Sequence, residues 1–187
     1  MGADEDYFSV LGAPRAFAQD RTALERRFYE LSRLLHPDRF STSDHGARRD
    51  SLERMSYLNT AYTTLKSPSL LRDYLLEREG VAVPKPAAAG GGGTIPMELA
   101  EAWFELQDTL SEPGAQARIG AFEADLRRLK TDIEKTLATL EAGYDAAVTR
   151  GSDPAARAEA LHKIAAGIQK LSYLQSMERD VKRAGER

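Results

Sequence analysis

The chain has 187 residues, a formal net charge of −3 and no cysteine. This length accommodates one domain or two small ones, each with enough apolar residues for a core. The weak net charge gives no reason to expect binding to nucleic acid or to an anionic membrane, and the missing cysteines exclude disulfides, thiolate metal sites and cysteine catalysis.

Signals for targeting and for metal binding are also missing. The chain does not open with a cationic segment followed by an apolar one, and no apolar run is long enough to span a membrane. The three histidines, His36, His45 and His162, lack the spacing of a helix-borne metal site. We therefore expect a cytoplasmic protein that binds no metal and no other cofactor.

Two helices are predicted in the first 35 residues. Asp4 to Leu11 has acidic residues where the dipole of a helix favours them, and Gly12 is suited to end the helix. Asp20 is a suitable N-cap for a second helix that runs to about Leu35. One face of this second helix is apolar, because its apolar residues are spaced by three or four: Leu24, Phe28, Leu31 and Leu35.

A third and a fourth helix are predicted up to Gly80. The third covers about Ala47 to Lys66 and carries an apolar set: Leu52, Met55, Leu58, Tyr62 and Leu65. Ser67 and Pro68 close it, and Leu70 to Arg78 has the composition of a further short helix.

Residues 81–94 change character abruptly. Val83-Pro84-Lys85-Pro86 precedes three alanines and four glycines, a composition that cannot form a packed core. We interpret this stretch as a linker between an N-terminal domain, residues 1–80, and a C-terminal domain, residues 95–187.

Three helices are predicted after the linker, over roughly 96–110, 115–150 and 154–183. The apolar residues of the second step by three or four along its whole length, which is typical of a long antiparallel helix hairpin. Asp153 and Pro154 are suited to start the last helix. No segment alternates as a β-strand does, so the predicted fold class is all-α, with a three-helix bundle in the second half.

The motif His36-Pro37-Asp38 directly follows the second helix. Proline disfavours helix at the residue before it, so His36 is expected where the helix ends, on an exposed loop of the kind that carries recognition residues. Two other interpretations are open at this point. The motif could be a plain turn, or His36 and Asp38 could be the acid–base pair of a small hydrolase, although no nucleophile or third group accompanies them.

The helix at 96–110 has two apolar faces, whereas a helix of a three-helix bundle needs one. Its core stripe consists of four residues: Leu99, Trp103, Leu106 and Leu110. On almost the opposite side lie Met97, Ala100 and Phe104 with Glu101. A second apolar face has to cover another element or meet a partner. On the last helix, Tyr173 lies off the inward stripe with Met177 near it, and we expect it to be an exposed aromatic as well.

The order of these motifs resembles the HscB family, which are J-domain co-chaperones of iron–sulfur cluster assembly. The resemblance covers nearly the whole chain. The matching segments are Tyr7-Phe8 with Leu11-Gly12, His36 to Phe40, Leu58 to Leu65, and Ser67-Pro68 with Arg72 to Leu76. No cysteine-rich N-terminal segment is present, which is typical of the bacterial members.

The resemblance implies a chaperone partner. In this family the J-domain binds a seventy-kilodalton heat-shock chaperone of the HscA or DnaK type and stimulates its ATP hydrolysis, so the chain itself is not expected to be an enzyme. Carried over, His36, Pro37 and Asp38 would be the stimulating triplet. The basic surface that meets an acidic patch on the chaperone would consist of Arg26, Arg27, Arg33 and Arg39, although arginines on an exposed helix can also merely solvate it.

The resemblance also implies a client, the iron–sulfur scaffold protein IscU. The residues that match its binding patch are Met97, Ala100, Glu101, Phe104 and Tyr173. The chain departs from the family pattern, because Pro96 and Ala100 replace larger aliphatic residues and Phe104 replaces a glutamate. Two alternatives therefore stay open: Met97 and Phe104 pack on the first domain or are merely exposed, or the chain is a J-domain adaptor whose client is unrelated to iron–sulfur assembly.

Overall fold

The structure is a computed structural model and describes residues 6–36, 38, 45–83, 97–111, 116–151 and 153–185. These residues form seven α-helices and no β-strand, so the predicted all-α fold class is confirmed for the described part of the chain. The chain divides into two compact units, residues 1–80 and residues 81–187. The helices are α1 Tyr7–Leu11, α2 Arg21–Leu35, α3 His45–Lys66, α4 Pro68–Arg78, α5 Met97–Ser111, α6 Gln116–Thr149 and α7 Pro154–Gly185.

The short helix α1 starts later than predicted. Asp6 is its N-cap and not part of the helix: its carboxylate accepts a hydrogen bond from the Ser9 N–H at 2.8 Å, and the Asp6 N–H donates to the Ser9 hydroxyl at 3.0 Å. This reciprocal pair is a capping box. Asp4 and Glu5, predicted in the first turn, lie outside the described residues. Gly12 ends the helix in the left-handed conformation, with φ of 62°.

Helices α2 and α3 form a hairpin. Asp20 caps α2 as predicted, since its carboxylate accepts from the N–H groups of Thr22 and Ala23 at 2.9 and 3.0 Å. Phe28 of α2 stacks on Tyr62 of α3 with 4.3 Å between ring centroids. Tyr62 therefore packs the hairpin together.

The bounds of α3 and α4 differ slightly from the prediction. α3 begins at His45, two residues early, and α4 begins at Pro68, because proline fits the first turn of a helix as well as it ends the preceding one. Leu52, placed in the apolar set of α3, is exposed. Ser51 beside it is buried, and it faces α2.

Helices α1 and α4 complete the first unit. The Tyr7 N–H donates to the Tyr74 hydroxyl at 3.0 Å, and the two rings are stacked with centroids 4.3 Å apart. Beneath them lies an apolar core that consists mostly of leucines: Phe8, Leu11, Leu24, Leu58, Ala61, Leu65, Leu71, Leu75 and Leu76. The linker predicted at 81–94 stays a prediction, since residues 84–96 lie outside the described part.

The second unit is built on the long antiparallel pair α6 and α7. None of the nine residues of the apolar stripe predicted along α6 is exposed: Ile119, Phe122, Leu126, Leu129, Ile133, Leu137, Leu140, Tyr144 and Val148. The Asp153 carboxylate accepts from the Ala155 N–H at 3.2 Å, which confirms it as the cap of α7. Helix α5 packs at one end of this pair, and the three helices share a buried cluster: Leu99, Leu106, Phe122, Leu126, Tyr173, Leu174, Met177 and Val181.

Two helical glycines differ in their surroundings and give a matched pair of stability variants. A Cβ atom at Gly143 of α6 would meet no neighbour within 4 Å, whereas one at Gly167 of α7 would lie 2.6 Å from Cδ2 and 3.1 Å from Cγ of the buried Leu137. We expect Gly143→Ala to raise the free energy of unfolding by about 1 kcal/mol through helix propensity. In Gly167→Ala this gain is opposed by overpacking of about 1–3 kcal/mol, so the variant is expected to be less stable than the wild type.

Urea unfolding followed by tryptophan fluorescence measures both variants, because the one tryptophan of the chain, Trp103, belongs to the second unit. Equal stabilisation by the two substitutions would show that Leu137 can turn away, and would contradict the close approach of α6 and α7.

Candidate functional site

The end of α2 is fixed by a bond from α3. The buried Ser51 hydroxyl donates to the Leu35 carbonyl at 2.5 Å, and so satisfies one of the carbonyls that a helix end leaves unpaired. His36 follows directly as the C-cap residue, with an extended backbone of φ −63° and ψ 130°. The helix therefore ends at His36, as the following proline predicts.

His36 and Asp38 lie side by side on the surface. The Asp38 N–H donates to His36 Nδ1 at 3.3 Å, and the Asp38 carboxylate lies 3.4 Å from the same nitrogen. Nδ1 can accept the first bond only when it carries no proton, and can donate to the carboxylate only when it carries one. About half of the His36 side chain and 85% of the Asp38 side chain are exposed, so both are accessible to a partner.

The arginines of α2 are also on the surface. Arg26, Arg27 and Arg33 are all exposed. Arg27 pairs with Glu30 one turn later, at 3.3 Å between Nη1 and Oε2. Pro37 and Arg39 lie outside the described residues. The described part of the site is thus a basic helix that leads to an exposed histidine and carboxylate.

Helix α5 has the two faces predicted from the sequence. Leu99 and Leu106 are in the core, whereas Met97 is 89% and Phe104 66% exposed. Glu101 is exposed beside them and Ala100 is half-buried. We call these four residues the outer face of α5. The side chains of Trp103 and Leu110, predicted in the core stripe, lie outside the described part.

The prediction that Tyr173 is exposed was wrong. Only 3% of its surface is accessible, and Met177 near it is completely buried. The physical reason is that this part of α7 has two neighbours, since residues of both α5 and α6 belong to its cluster. A helix flanked on two sides buries a wider sector than the single inward stripe predicted for it, which consists of Leu161, Ile164, Ile168 and Leu171. Tyr173 is therefore core, and not part of an exposed patch.

The apolar stripe predicted for α2 does not include two exposed apolar residues of the same helix. Tyr29 and Leu34 are each 58% exposed. The available signal was that both lie off the stripe of Leu24, Phe28, Leu31 and Leu35, where a helix of a soluble protein usually carries polar residues.

Comparison with known proteins identifies the family, although no protein-family model matches the chain. A co-chaperone protein HscB homolog of Bordetella pertussis is 33% identical over 141 residues, which are 75% of this chain and 80% of that protein. The chain belongs to the HscB family of co-chaperones. An iron–sulfur cluster co-chaperone protein HscB of mouse is 30% identical over 65% of this chain and 50% of the mouse protein. The solved chaperone HscB of Vibrio cholerae superposes with a TM-score of 0.60 at 26% identity, over 97% of this chain and 98% of that one.

Two further observations concern the described residues of this HscB-family chain. None of their helices combines the length and the apolarity needed to cross a membrane. Among the same residues, no three histidine, cysteine, aspartate or glutamate side chains come close enough together to hold a metal ion.

Proposed function

We propose that this HscB-family protein stimulates ATP hydrolysis by a seventy-kilodalton heat-shock chaperone of the HscA or DnaK type and delivers an IscU-type iron–sulfur scaffold protein to it. The observation that carries the proposal is the exposed pair His36 and Asp38 at the fixed end of α2, with the arginines of that helix beside it. In this proposal residues 1–80 are the J-domain, and residues 95–187 bind the client.

The chemistry of the site supports a contact surface and not an enzyme. Both side chains of the pair are open to solvent, and the nearby Ser51 hydroxyl, which is buried, donates to the Leu35 carbonyl and not to the pair. Exposed guanidinium groups are suited to steer and orient an acidic partner, while a carboxylate and an imidazole at a fixed position supply specific contacts. ATP hydrolysis then takes place in the chaperone, and this chain is the activator.

The outer face of α5 supports the client half of the proposal. Met97 and Phe104 are large apolar side chains that the second unit leaves accessible. Methionine and aromatic residues are favoured in interfaces, and Glu101 adds a charge that can fix the orientation of a partner. The mouse relative is named an iron–sulfur cluster co-chaperone, which agrees with an iron–sulfur client.

One observation favours a second candidate, a J-domain adaptor with a client unrelated to iron–sulfur assembly. Of the five residues matched to the scaffold patch, Tyr173 is buried. With Ala100 small and Phe104 in place of an acidic residue, the outer face of α5 differs from the family pattern in shape and charge. Direct binding to a scaffold decides between the two candidates.

The client half is tested by titrating the full chain with a purified bacterial IscU-type scaffold in a calorimeter. We expect Phe104→Ala to weaken binding by about thirtyfold or more, because truncation of an aromatic anchor near the centre of an interface costs about 2 kcal/mol or more. Tyr173→Phe is the matched control: it changes a buried aromatic of the same unit by one hydroxyl and is expected to leave the affinity unchanged. If the wild-type protein binds no scaffold, the proposal of an iron–sulfur client is contradicted and the adaptor function is left.

The chaperone half is tested separately, by the steady-state ATPase rate of purified HscA or DnaK with increasing wild-type protein and no scaffold. A rate that does not rise with either chaperone would contradict the proposed activation.

A further inference from the structure

The outward side of α2 carries two large apolar side chains that the first unit does not cover. Tyr29 and Leu34 are each more than half exposed. The ring of Tyr29 meets Phe28 only by its edge, with 5.6 Å between centroids. Exposing this much apolar surface on one helix is unfavourable in water, so a partner that covers it gains free energy.

The two side chains lie on either side of the arginines. With about 100° of rotation per residue, Tyr29 and Leu34 point about 140° apart around the helix axis. The directions of Arg26 and Arg33 fall between them, since these two residues are two turns apart and share one line along the helix. The outward side of α2 is therefore a mainly basic stripe, in which the exposed Glu30 also lies, with an apolar side chain along each edge.

Leu34 connects this stripe with two other features. It precedes His36 by two residues, so a partner that contacts the histidine also comes close to the leucine. It also shares a helix face with Arg27, which lines a groove of about 410 Å³ between α1, α2 and α3. Val10 and Leu31 line the same groove, and Arg54 lies on the α3 side. The mixture of apolar surface and guanidinium groups thus continues past Leu34 along the hairpin.

We propose that Tyr29 and Leu34 are apolar anchors of the surface that binds the chaperone, in addition to the arginines. The inference rests on the proposed function. It assigns the chemistry of the partner surface: carboxylates that face Arg26 and Arg33, with apolar side chains on both sides of them. A partner with carboxylates alone would leave the apolar edges of the stripe uncovered.

The two kinds of contact respond differently to salt. Interactions between exposed charges are screened over about 8 Å at physiological ionic strength and over about 3 Å at 1 M. Burial of apolar surface is not screened in this way and is strengthened by some salts. If Tyr29 and Leu34 are apolar anchors, a substantial part of the affinity for the chaperone therefore persists at an ionic strength where the arginines no longer contribute.

The test compares three serine variants of the full chain: Tyr29→Ser, Leu34→Ser and Leu70→Ser. Leu70 is the matched control, an exposed leucine on α4 of the same unit. The measured quantity is the concentration that gives half-maximal stimulation of purified bacterial HscA, with DnaK in parallel, at low and at high potassium chloride. We expect Leu34→Ser and Tyr29→Ser each to raise this concentration about tenfold, equivalent to about 1.4 kcal/mol, at both salt concentrations. The maximal ATPase rate should be the same with all three variants as with the wild type. Leu70→Ser should also leave the half-maximal concentration at its wild-type value.

Arg26→Ala with Arg33→Ala is the second comparison. Its effect should be large at low salt and small at high salt, in contrast to that of the serine variants. If the wild type is active and Tyr29→Ser and Leu34→Ser have the same half-maximal concentration as the wild type, the apolar anchors are overturned. The proposed function then stays in place. A wild-type protein that stimulates neither chaperone would overturn both.

Discussion

Replacing His36 with glutamine is expected to return the ATPase rate of the chaperone to its basal level and to leave the protein folded. The imidazole is placed at the end of α2 by the Ser51 bond, and about half of it is available for a partner. Glutamine is polar and of similar length, but it has no planar ring and more rotatable bonds, so the contact loses both its shape and its fixed position. Asp38→Asn should have the same result, since it removes the charge of a carboxylate that is 85% exposed without changing its shape.

The chain supplies a matched control for this substitution. His162 is an exposed histidine on α7 of the second unit, so His162→Gln makes the same chemical change outside the proposed contact surface. We expect full stimulation from His162→Gln, and thermal unfolding of both variants close to the wild type, as for most substitutions on the surface. Stimulation that survives in both His36→Gln and Asp38→Asn would contradict the assignment of the motif.

Removing the buried carboxylate of Asp6 is expected to destabilise the first unit by about 3 kcal/mol. Asp6 is almost inaccessible to solvent, caps α1 through Ser9, and forms an ion pair with Arg15 at 2.5 Å. Loss of a cap costs about 1 kcal/mol, and loss of hydrogen bonds to a charged group costs about 1.5–3 kcal/mol. Asp20→Ala is the control, because Asp20 caps α2 in the same way but is exposed. It should cost only about 1 kcal/mol.

The two units allow this effect to be located. Circular dichroism follows the helices of both units, whereas tryptophan fluorescence follows only the second, which contains Trp103. Asp6→Ala should lower the melting temperature of a dichroism transition and leave the fluorescence transition unchanged. A shift of the fluorescence transition by the same amount would contradict this location of the effect.

The same carboxylate predicts how stability depends on pH. Burial raises the pKa of Asp6, but the hydrogen bonds from Ser9 and the positive charge of Arg15 outweigh it, so the pKa in the folded protein is lowered from its usual 3.8. The unfolded state then binds the proton more readily, and the stabilisation by Asp6 is complete above the unfolded pKa. It is lost as the pH falls below 3.8 and through the folded pKa. The gap in stability between wild type and Asp6→Ala should therefore narrow at acidic pH and stay constant above about pH 5.

Local signals explain the parts of the fold that the sequence predicted well. Three predicted features depend only on residues close in the chain: the capped start of α2, the long apolar stripe of α6 and the turn at Asp153. The predicted positions agree with the structure to within about one residue. The start of α1 was missed for a local reason too. Asp4 and Asp6 are both good caps, and the choice of Asp6 follows from its reciprocal bonds with Ser9.

Contacts between distant helices explain what could not be predicted. Tyr173 is buried because α5 and α6 both reach the second half of α7, and a stripe on one helix does not show how many neighbours the helix has. Ser51 is sixteen residues from the carbonyl that it bonds, and a serine in the middle of a polar stretch of α3 gives no sign of that role. For the outer face of α5 the sequence predicted a second apolar face, and the exposure of Met97 and Phe104 shows that no other described element covers it.

The bond between Ser51 and Leu35 has a consequence for binding. A partner that captures a side chain on a freely moving loop must restrict that loop, and the lost conformational entropy is subtracted from the affinity. Here the backbone before His36 is already held by a buried hydroxyl of the facing helix. The entropy of positioning the histidine is therefore lost during folding, before any partner is present. His36 is preorganised, and the hairpin of α2 and α3 is the rigid support that presents it.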